Sequence, residues 1–119
     1  MKVNNGQSVN VADIEVQSYE SFYADINSTM EKPSAHCVNY FAVPEGNELR
    51  LFCCIAVDDE HSIDIFSTTI AKDATVASLT AMHRAFHPFE REIHELYGIG
   101  FEGHPWLKPL RFPHDRAND

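Results

Sequence analysis

Three strand-like segments in the middle of the chain constrain its fold more than any other feature. The first, at 36–43, is rich in aromatic and β-branched residues, and the second, at 48–57, is apolar on both faces after Arg50. The residues between them, Pro-Glu-Gly-Asn at 44–47, have the composition of a turn. The third segment, at 62–70, alternates between apolar and polar residues after a short polar connection. Connections this short join antiparallel strands, so the pattern predicts an antiparallel β-meander with the second segment at its centre.

Helical patterns flank the meander on both sides. Residues 18–32 carry apolar side chains at i, i+3, i+4 and i+7, begin at the N-cap candidate Ser18 and stop at a proline. Two shorter helices are predicted at 76–86 and 88–97. Proline suits the first turn of the last helix, and the residue before it, His87, is expected outside the α region.

Glycine and proline dominate the chain after this last helix. Gly98 is placed to end the helix in a left-handed conformation, and the density of glycine and proline beyond it excludes regular structure there. The sequence therefore predicts an α+β fold: an antiparallel β-meander, an N-terminal helix packed on one face, two short C-terminal helices and an extended Gly/Pro-rich tail. The expected organisation is a single domain, 1–119, in which 101–119 form a docking tail.

The charge of the chain excludes some kinds of partner. Its 119 residues carry a formal net charge of −9, which argues against nucleic acid, since a phosphate backbone needs a basic patch. Residues 1–83 hold twelve acidic and four basic residues, whereas residues 84–119 hold six and five. No apolar run approaches the roughly 20 residues of a membrane span, and the polar N-terminus carries no secretory apolar region. We expect a cytoplasmic protein with an acidic body and a mildly basic tail.

Four side chains near the last helix raise the alternative of a metal site. The residues follow one another at +4, +3 and +4: His83, His87, Glu90 and His94. On an unbroken helix this spacing would align four ligands, but Pro88 interrupts that face. A small metal-binding enzyme that uses this cluster is the alternative to a protein that acts through its partners. A charged helix face, with Arg91 paired to Glu95, is the simpler interpretation of the glutamates.

Two further patterns are weaker. Cys37, Cys53 and Cys54 lack the C-x-x-C spacing of metal and redox motifs, and adjacent strand residues face opposite sides, so buried, inert thiols are expected. A redox sensor that uses Cys53 or Cys54 remains a third hypothesis. Residues 98–103 match G-x-G-x-x-G formally, but a predicted helix precedes them and no predicted helix follows, unlike a dinucleotide-binding turn.

The segment from 89 to 110 carries a distinctive series of residues: Glu-Arg-Glu at 90–92, Glu-Leu-Tyr-Gly-Ile at 95–99, Phe-Glu-Gly-His-Pro at 101–105, and Lys108. This series resembles the signature of the 30 kDa subunit of respiratory complex I. Related subunits occur in energy-converting, membrane-bound NiFe hydrogenases and in formate hydrogenlyase. The short chain is similar to the small subunit of those hydrogenases, whereas many complex I versions continue further.

This resemblance implies a non-catalytic subunit of the peripheral arm, which assembles with and positions the large subunit of an oxidoreductase complex. It implies partners in that large catalytic subunit and in neighbouring iron–sulfur subunits, no cofactor on this chain, and no activity of the isolated chain. Membrane association is then only through partners, on the cytoplasmic face. The residues expected at the partner interface are Glu90, Arg91, Glu92, Glu95, Gly98, Phe101, Gly103, His104, Pro105, Trp106, Lys108 and Arg111.

Overall fold

A four-stranded antiparallel sheet organises the fold. The computed structural model describes residues 1–4 and 10–104. The strands, in the sheet order β1-β4-β3-β2, are β1 (Lys2–Asn4), β2 (Ala35–Glu45), β3 (Glu48–Val57) and β4 (Ser62–Ala71). The predicted meander is therefore confirmed, with the apolar strand β3 inside the sheet. The short strand β1, which pairs with β4, was not predicted because its three residues carry no alternating pattern.

The β2–β3 hairpin is tighter than the sequence suggested. Glu45 pairs with Glu48, so only Gly46 and Asn47 remain between the strands, and Pro44 belongs to β2. Gly46 has φ of 60°, as at the first central residue of a type II′ turn. The backbone twist of a type II′ turn matches the twist of the flanking strands, and the two-residue length of the turn fixes the register of the hairpin.

Helix α1 (Tyr19–Met30) covers one face of the sheet, close to the predicted bounds of 18–32. The Ser18 side chain caps it by accepting a hydrogen bond of 3.2 Å from the backbone N–H of Ser21. Phe22 and Ile26 lie one turn apart and are fully buried in the core. Burial of each such side chain stabilises the fold by roughly 1.5–3 kcal/mol.

The region predicted as a helix at 76–86 folds differently. It contains strand β5 (Thr75–Ala77), a loop, and a single 3-10 turn at Arg84–Phe86. β5 pairs in parallel with β6 (Gly100–Glu102), which lies where regular structure was excluded. Both predictions were wrong for one reason: each strand is only three residues long and exists through its pairing with a segment 25 residues away.

Helix α2 (His87–Tyr97) follows the 3-10 turn directly and confirms the predicted helix at 88–97. His87 has φ of −51° and ψ of −54°, so the expectation that Pro88 would force it out of the α region was wrong. Its N–H donates to the carbonyl of Arg84, and this bond holds His87 in the turn. Pro88 then occupies the first turn of α2, where a missing N–H leaves no carbonyl unpaired.

The core lies between the sheet and the two helices. Tyr40 and Phe86 meet edge to face, with ring centroids 6.0 Å apart, and join the sheet to the start of α2. Among the described residues, no helix is long and apolar enough to span a bilayer.

Candidate partner-binding surface

The end of α2 is fixed by two hydrogen bonds. Gly98 has φ of 76°, and its N–H donates to the carbonyl of His94 at 2.8 Å, which confirms the predicted left-handed helix end. His94 Nδ1 lies 2.8 Å from the carbonyl oxygen of Ile99, and its N–H donates to that oxygen. These contacts set the direction in which the chain leaves the helix.

Glu90 lies inside the fold, where it binds the loop after β5. Its Oε1 accepts hydrogen bonds from the hydroxyls of Ser78 at 2.5 Å and Thr80 at 2.8 Å. Its Oε2 accepts from the backbone N–H of Leu79 at 2.8 Å, and the N–H of Thr80 adds a longer bond of 3.3 Å to Oε1. We call this arrangement of Glu90 with residues 78–80 the Glu90 clasp.

The Glu90 clasp holds a carboxylate that has no solvent exposure. Burial raises the pKa of this carboxyl group, and the hydrogen bonds from Ser78, Leu79 and Thr80 oppose that rise. No described lysine or arginine forms an ion pair with it, so hydrogen bonds alone compensate its desolvation. The Glu90 side chain therefore lies inside the fold and not on its surface.

The β5–β6 pair extends the clasp towards the C-terminus. Ser78 donates from its N–H to the carbonyl of Glu102 at 2.9 Å, and Gly100 donates to the carbonyl of Ala74 at 3.1 Å. A Cβ on Gly100 would lie 2.8 Å from Oγ1 of Thr75, so only glycine allows this approach without a shift. Phe101 is buried in the core. The first residues of the predicted docking tail are thus part of the folded body.

His104 closes this arrangement against the start of α2. It is 8% exposed, its Nε2 lies 3.4 Å from the carbonyl oxygen of His87, and the two imidazole rings are 5.7 Å apart. Burial lowers the pKa of His104, which favours its neutral form at pH 7. Residue 104, the last one that the structure describes, thus packs against the first turn of α2.

The remaining predicted interface residues divide into two groups. On α2, Arg91 and Glu95 form the predicted i,i+4 ion pair at 3.2 Å, and Glu92 is exposed. Gly98 and Gly103 are exposed as well. The other members lie outside the described residues: Pro105, Trp106, Lys108 and Arg111.

The alternative metal site does not form among the described residues. No three His, Cys, Asp or Glu side chains within 1–4 and 10–104 are placed to hold an ion. Both oxygens of Glu90 are already hydrogen-bonded inside the clasp, and Nδ1 of His94 faces Ile99. The G-x-G-x-x-G match at 98–103 follows helix α2 and contains β6, so it lacks the preceding strand of a dinucleotide site.

The three cysteines, all within the described residues, are unlinked. Cys53 is fully buried on the helix side of the sheet, whereas Cys54 is half-buried on the other face, as the alternation predicted. Burial raises the pKa of both thiols, and a hydrogen bond with Cys53 lowers the pKa of Cys37. A raised pKa keeps Cys53 and Cys54 in the less reactive thiol form, as expected of structural cysteines.

The clasp is the feature that sequence reasoning missed. A signal was present, since Ser78 and Thr80 fall within a predicted helix, and hydroxyl side chains favour caps and turns over helix interiors. The approach of Gly100 to Thr75 left no such signal.

Comparisons of the sequence with known proteins point to one family. The family described as "Respiratory-chain NADH dehydrogenase, 30 Kd subunit" matches residues 13–118. The C subunit of F(420)H(2) dehydrogenase from Methanosarcina mazei is 34% identical over 77 residues, which are 64% of this chain and 49% of that protein. The J subunit of NAD(P)H-quinone oxidoreductase from Prochlorococcus marinus is 33% identical over 89 residues, 71% of this chain and 47% of the relative. The C subunit of NADH-quinone oxidoreductase from Cereibacter sphaeroides is 44% identical over 41 residues, 34% and 20% of the two chains. The chain spans about half the length of the M. mazei and P. marinus relatives.

Proposed function

This chain belongs to the family of the 30 kDa subunit of respiratory-chain NADH dehydrogenase, and from that membership we propose that it is a non-catalytic assembly subunit. Its task is to bind and position the large subunit of a membrane-bound, complex I-like oxidoreductase. That complex is an energy-converting NiFe hydrogenase or an NADH:quinone oxidoreductase. In this proposal residues 1–119 act as one domain, which reaches the membrane only through its partner subunits, on the cytoplasmic face.

One observation carries the proposal: the family motif divides into buried residues that fix the chain and exposed residues that are available for contact. Glu90 and Phe101 are buried, and His104 is nearly so. They hold the chain from α2 to residue 104 in one position. A docking tail that starts from a fixed point loses less conformational entropy on binding than one that starts from a mobile point.

The chemistry of the tail supports a protein partner. Residues 105–119 carry three basic and two acidic side chains together with Trp106, on a chain whose net charge is −9. Tryptophan and arginine are the residue types that most often anchor protein interfaces. The relatives from M. mazei and P. marinus are named as subunits of a dehydrogenase and of an oxidoreductase.

Truncation of the tail tests this proposal. The truncated chain 1–104 keeps the buried Phe101 and strand β6, and its thermal unfolding midpoint measures whether the fold is retained. We expect it to lose co-purification with the large subunit when both are expressed at native level. Deletion from residue 101 is a poorer test, because it removes the buried Phe101 together with β6.

Point variants separate the tail charges from the fold. The double variant K108E/R111E should reduce co-purification of the large subunit. The matched control K72E makes the same kind of charge change at an exposed lysine after β4 and should not. A truncated chain that still brings down the large subunit in wild-type yield would contradict the role of the tail. A full chain that brings down no cluster-binding partner would contradict the assembly function.

A further inference from the structure

Strand β2 has one edge without a neighbouring strand in the described part of the chain. The sheet order β1-β4-β3-β2 places it at the end of the sheet, and it runs for 11 residues, most of them exposed. The other outer strand, β1, has only 3 residues. A long outer strand presents a row of unpaired backbone donors and acceptors, and proteins usually keep such strands short or cover them.

Two residues identify the backbone groups that face outward. Pro44 has no N–H to give to β3, and the N–H of Tyr40 donates to the side-chain Oδ1 of its neighbour Asn39 at 2.9 Å. Successive residues of a strand point their hydrogen-bonding groups to opposite edges. Ala42 lies midway between Tyr40 and Pro44, so its N–H and carbonyl also face away from β3. The regular edge begins after the bulge between Cys37 and Asn39.

An apolar hollow lies on each side of this edge. On the helix side, a hollow of 180 Å³ is lined by β2 together with Phe89, Leu96 and Tyr97 of α2. On the opposite face, a hollow of 350 Å³ begins at Phe41 and Val43 of β2 and extends across β3 to Ile65 of β4. Leu96 is 63% exposed. The side chains of an added strand alternate between the two faces and would enter these two hollows in turn.

The charge around the hollows selects the occupant. Glu92 lines the first hollow and forms no ion pair with a described residue, and Glu45 lines the second beside its partner Arg50. The chain carries −9, so a second copy at this edge would bring like charge against like charge. A segment with lysine or arginine among apolar residues is complementary instead.

From these observations we propose that the outer edge of β2 binds an extended, basic segment of a partner protein as an added β-strand. The outward carbonyls of Tyr40, Ala42 and Pro44 accept hydrogen bonds from the added strand, the N–H of Ala42 donates to it, and the two hollows take the apolar side chains. The proposal is separate from the docking of residues 105–119, and its test uses no large subunit.

A synthetic strand tests the proposal on the full chain. The probe is a fluorescent nine-residue peptide with valine at adjacent central positions, which places valine on both faces of the strand, and with lysine towards each end. It is N-methylated at alternate backbone nitrogens so that it cannot stack on itself. Fluorescence anisotropy should show saturable binding. The A42P variant removes the outward N–H and should weaken binding by about tenfold, whereas proline on an outer edge leaves the β2–β3 pairing intact. The same peptide methylated at every backbone nitrogen should not bind, a readout that does not depend on the folding of A42P.

Charge variants on α2 provide the matched comparison. E92K places a cation at the hollow and should weaken binding several-fold. E95K makes the same change on the same helix, at a residue that does not line the hollow, and should have little effect.

Absence of saturable binding, or equal binding by A42P and the wild type, would overturn the proposal. A dimer seen in sedimentation and abolished by A42P would assign the edge to a second copy and overturn it as well.

Discussion

At the scale of single residues, Glu90 shows why a charged motif need not be a surface motif. It stands between Pro88 and Glu92 in a segment that looks solvent-facing, yet its side chain is fully buried and accepts four hydrogen bonds. All four donors come from residues 78–80. The carboxylate thereby accepts hydrogen bonds from loop groups that backbone carbonyls would have satisfied in a longer strand or helix.

Replacement of Glu90 should expose the role of the clasp. In E90A the N–H of Leu79 and the groups of Thr80 lose their acceptor inside the fold, at a cost of roughly 3 kcal/mol in the free energy of unfolding. In E90Q the amide can still accept from Leu79 and donate to the hydroxyls, so the loss should be smaller. Urea denaturation measures both. The variant E92Q, at an exposed glutamate of the same helix, controls for the loss of a charge.

The stability difference between the wild type and E90Q should also depend on pH. The folded state raises the pKa of Glu90 above its ordinary value of 4.5, so the folded chain holds this proton more tightly than the unfolded chain. The stabilisation from this proton is present below 4.5 and is lost as the pH rises through the folded-state pKa. The difference in unfolding free energy, wild type minus E90Q, should therefore decrease from pH 4.5 to pH 7.5. A constant difference over that range would show that Glu90 does not titrate in this way.

At the scale of elements, the pairing of β5 with β6 brings the backbone of Gly100 against the side chain of Thr75. The structure tolerates it because residue 100 is glycine, and a Cβ there would meet Thr75 Oγ1 at 2.8 Å. Strands of three residues have little pairing energy of their own, so a local clash has a large relative effect.

A double-mutant cycle tests that approach. G100A should destabilise the chain by about 1–2 kcal/mol, because the methyl group must displace the Thr75 side chain. T75A alone should have a small effect at its exposed position, and the G100A/T75A double variant should recover most of the loss, because the clashing atoms are absent. Thermal or urea unfolding of the four proteins gives the coupling energy. Additive effects would mean that Gly100 is needed for another reason.

The elements that the sequence predicts well are those whose own pattern is strong. The meander has clear alternation and a turn with glycine, and α1 has an apolar stripe and a serine cap, so local chemistry and tertiary packing agree there. β5 and β6 could not be predicted, because neither has a pattern without the other. For the candidate site, the helix bounds and the Arg91–Glu95 pair follow from spacing. The burial of Glu90 does not, because it depends on where the loop at 78–80 lies.

At the scale of the whole molecule, Arg50 joins the N-terminal segment to the sheet. Its Nε donates to Ser67 Oγ and one terminal nitrogen donates to the carbonyl of Ile14, both at 2.8 Å. The guanidinium also lies 4.7 Å from the ring centroid of Phe52. One buried side chain thus connects two strands with the segment that precedes α1.

Substitution of Arg50 should loosen that segment. R50K keeps the charge but has a single nitrogen, which cannot reach Ser67 and Ile14 together in the same geometry. We expect faster amide hydrogen exchange around Ile14 and a loss of about 1–3 kcal/mol in unfolding free energy. K72R, at an exposed position, is the control for an exchange between lysine and arginine. Unchanged exchange around Ile14 would mean that packing alone holds the segment.

The parallel β5–β6 pair also has a consequence for the order of events in the cell. Its partners are 25 residues apart, with the whole of α2 between them, so their pairing closes a loop and forms after the local turns of that helix. Residue 104 follows β6 by two residues, so its position depends on this pairing. A partner that recognises the segment after residue 104 would therefore bind best to chains in which β5 and β6 have paired.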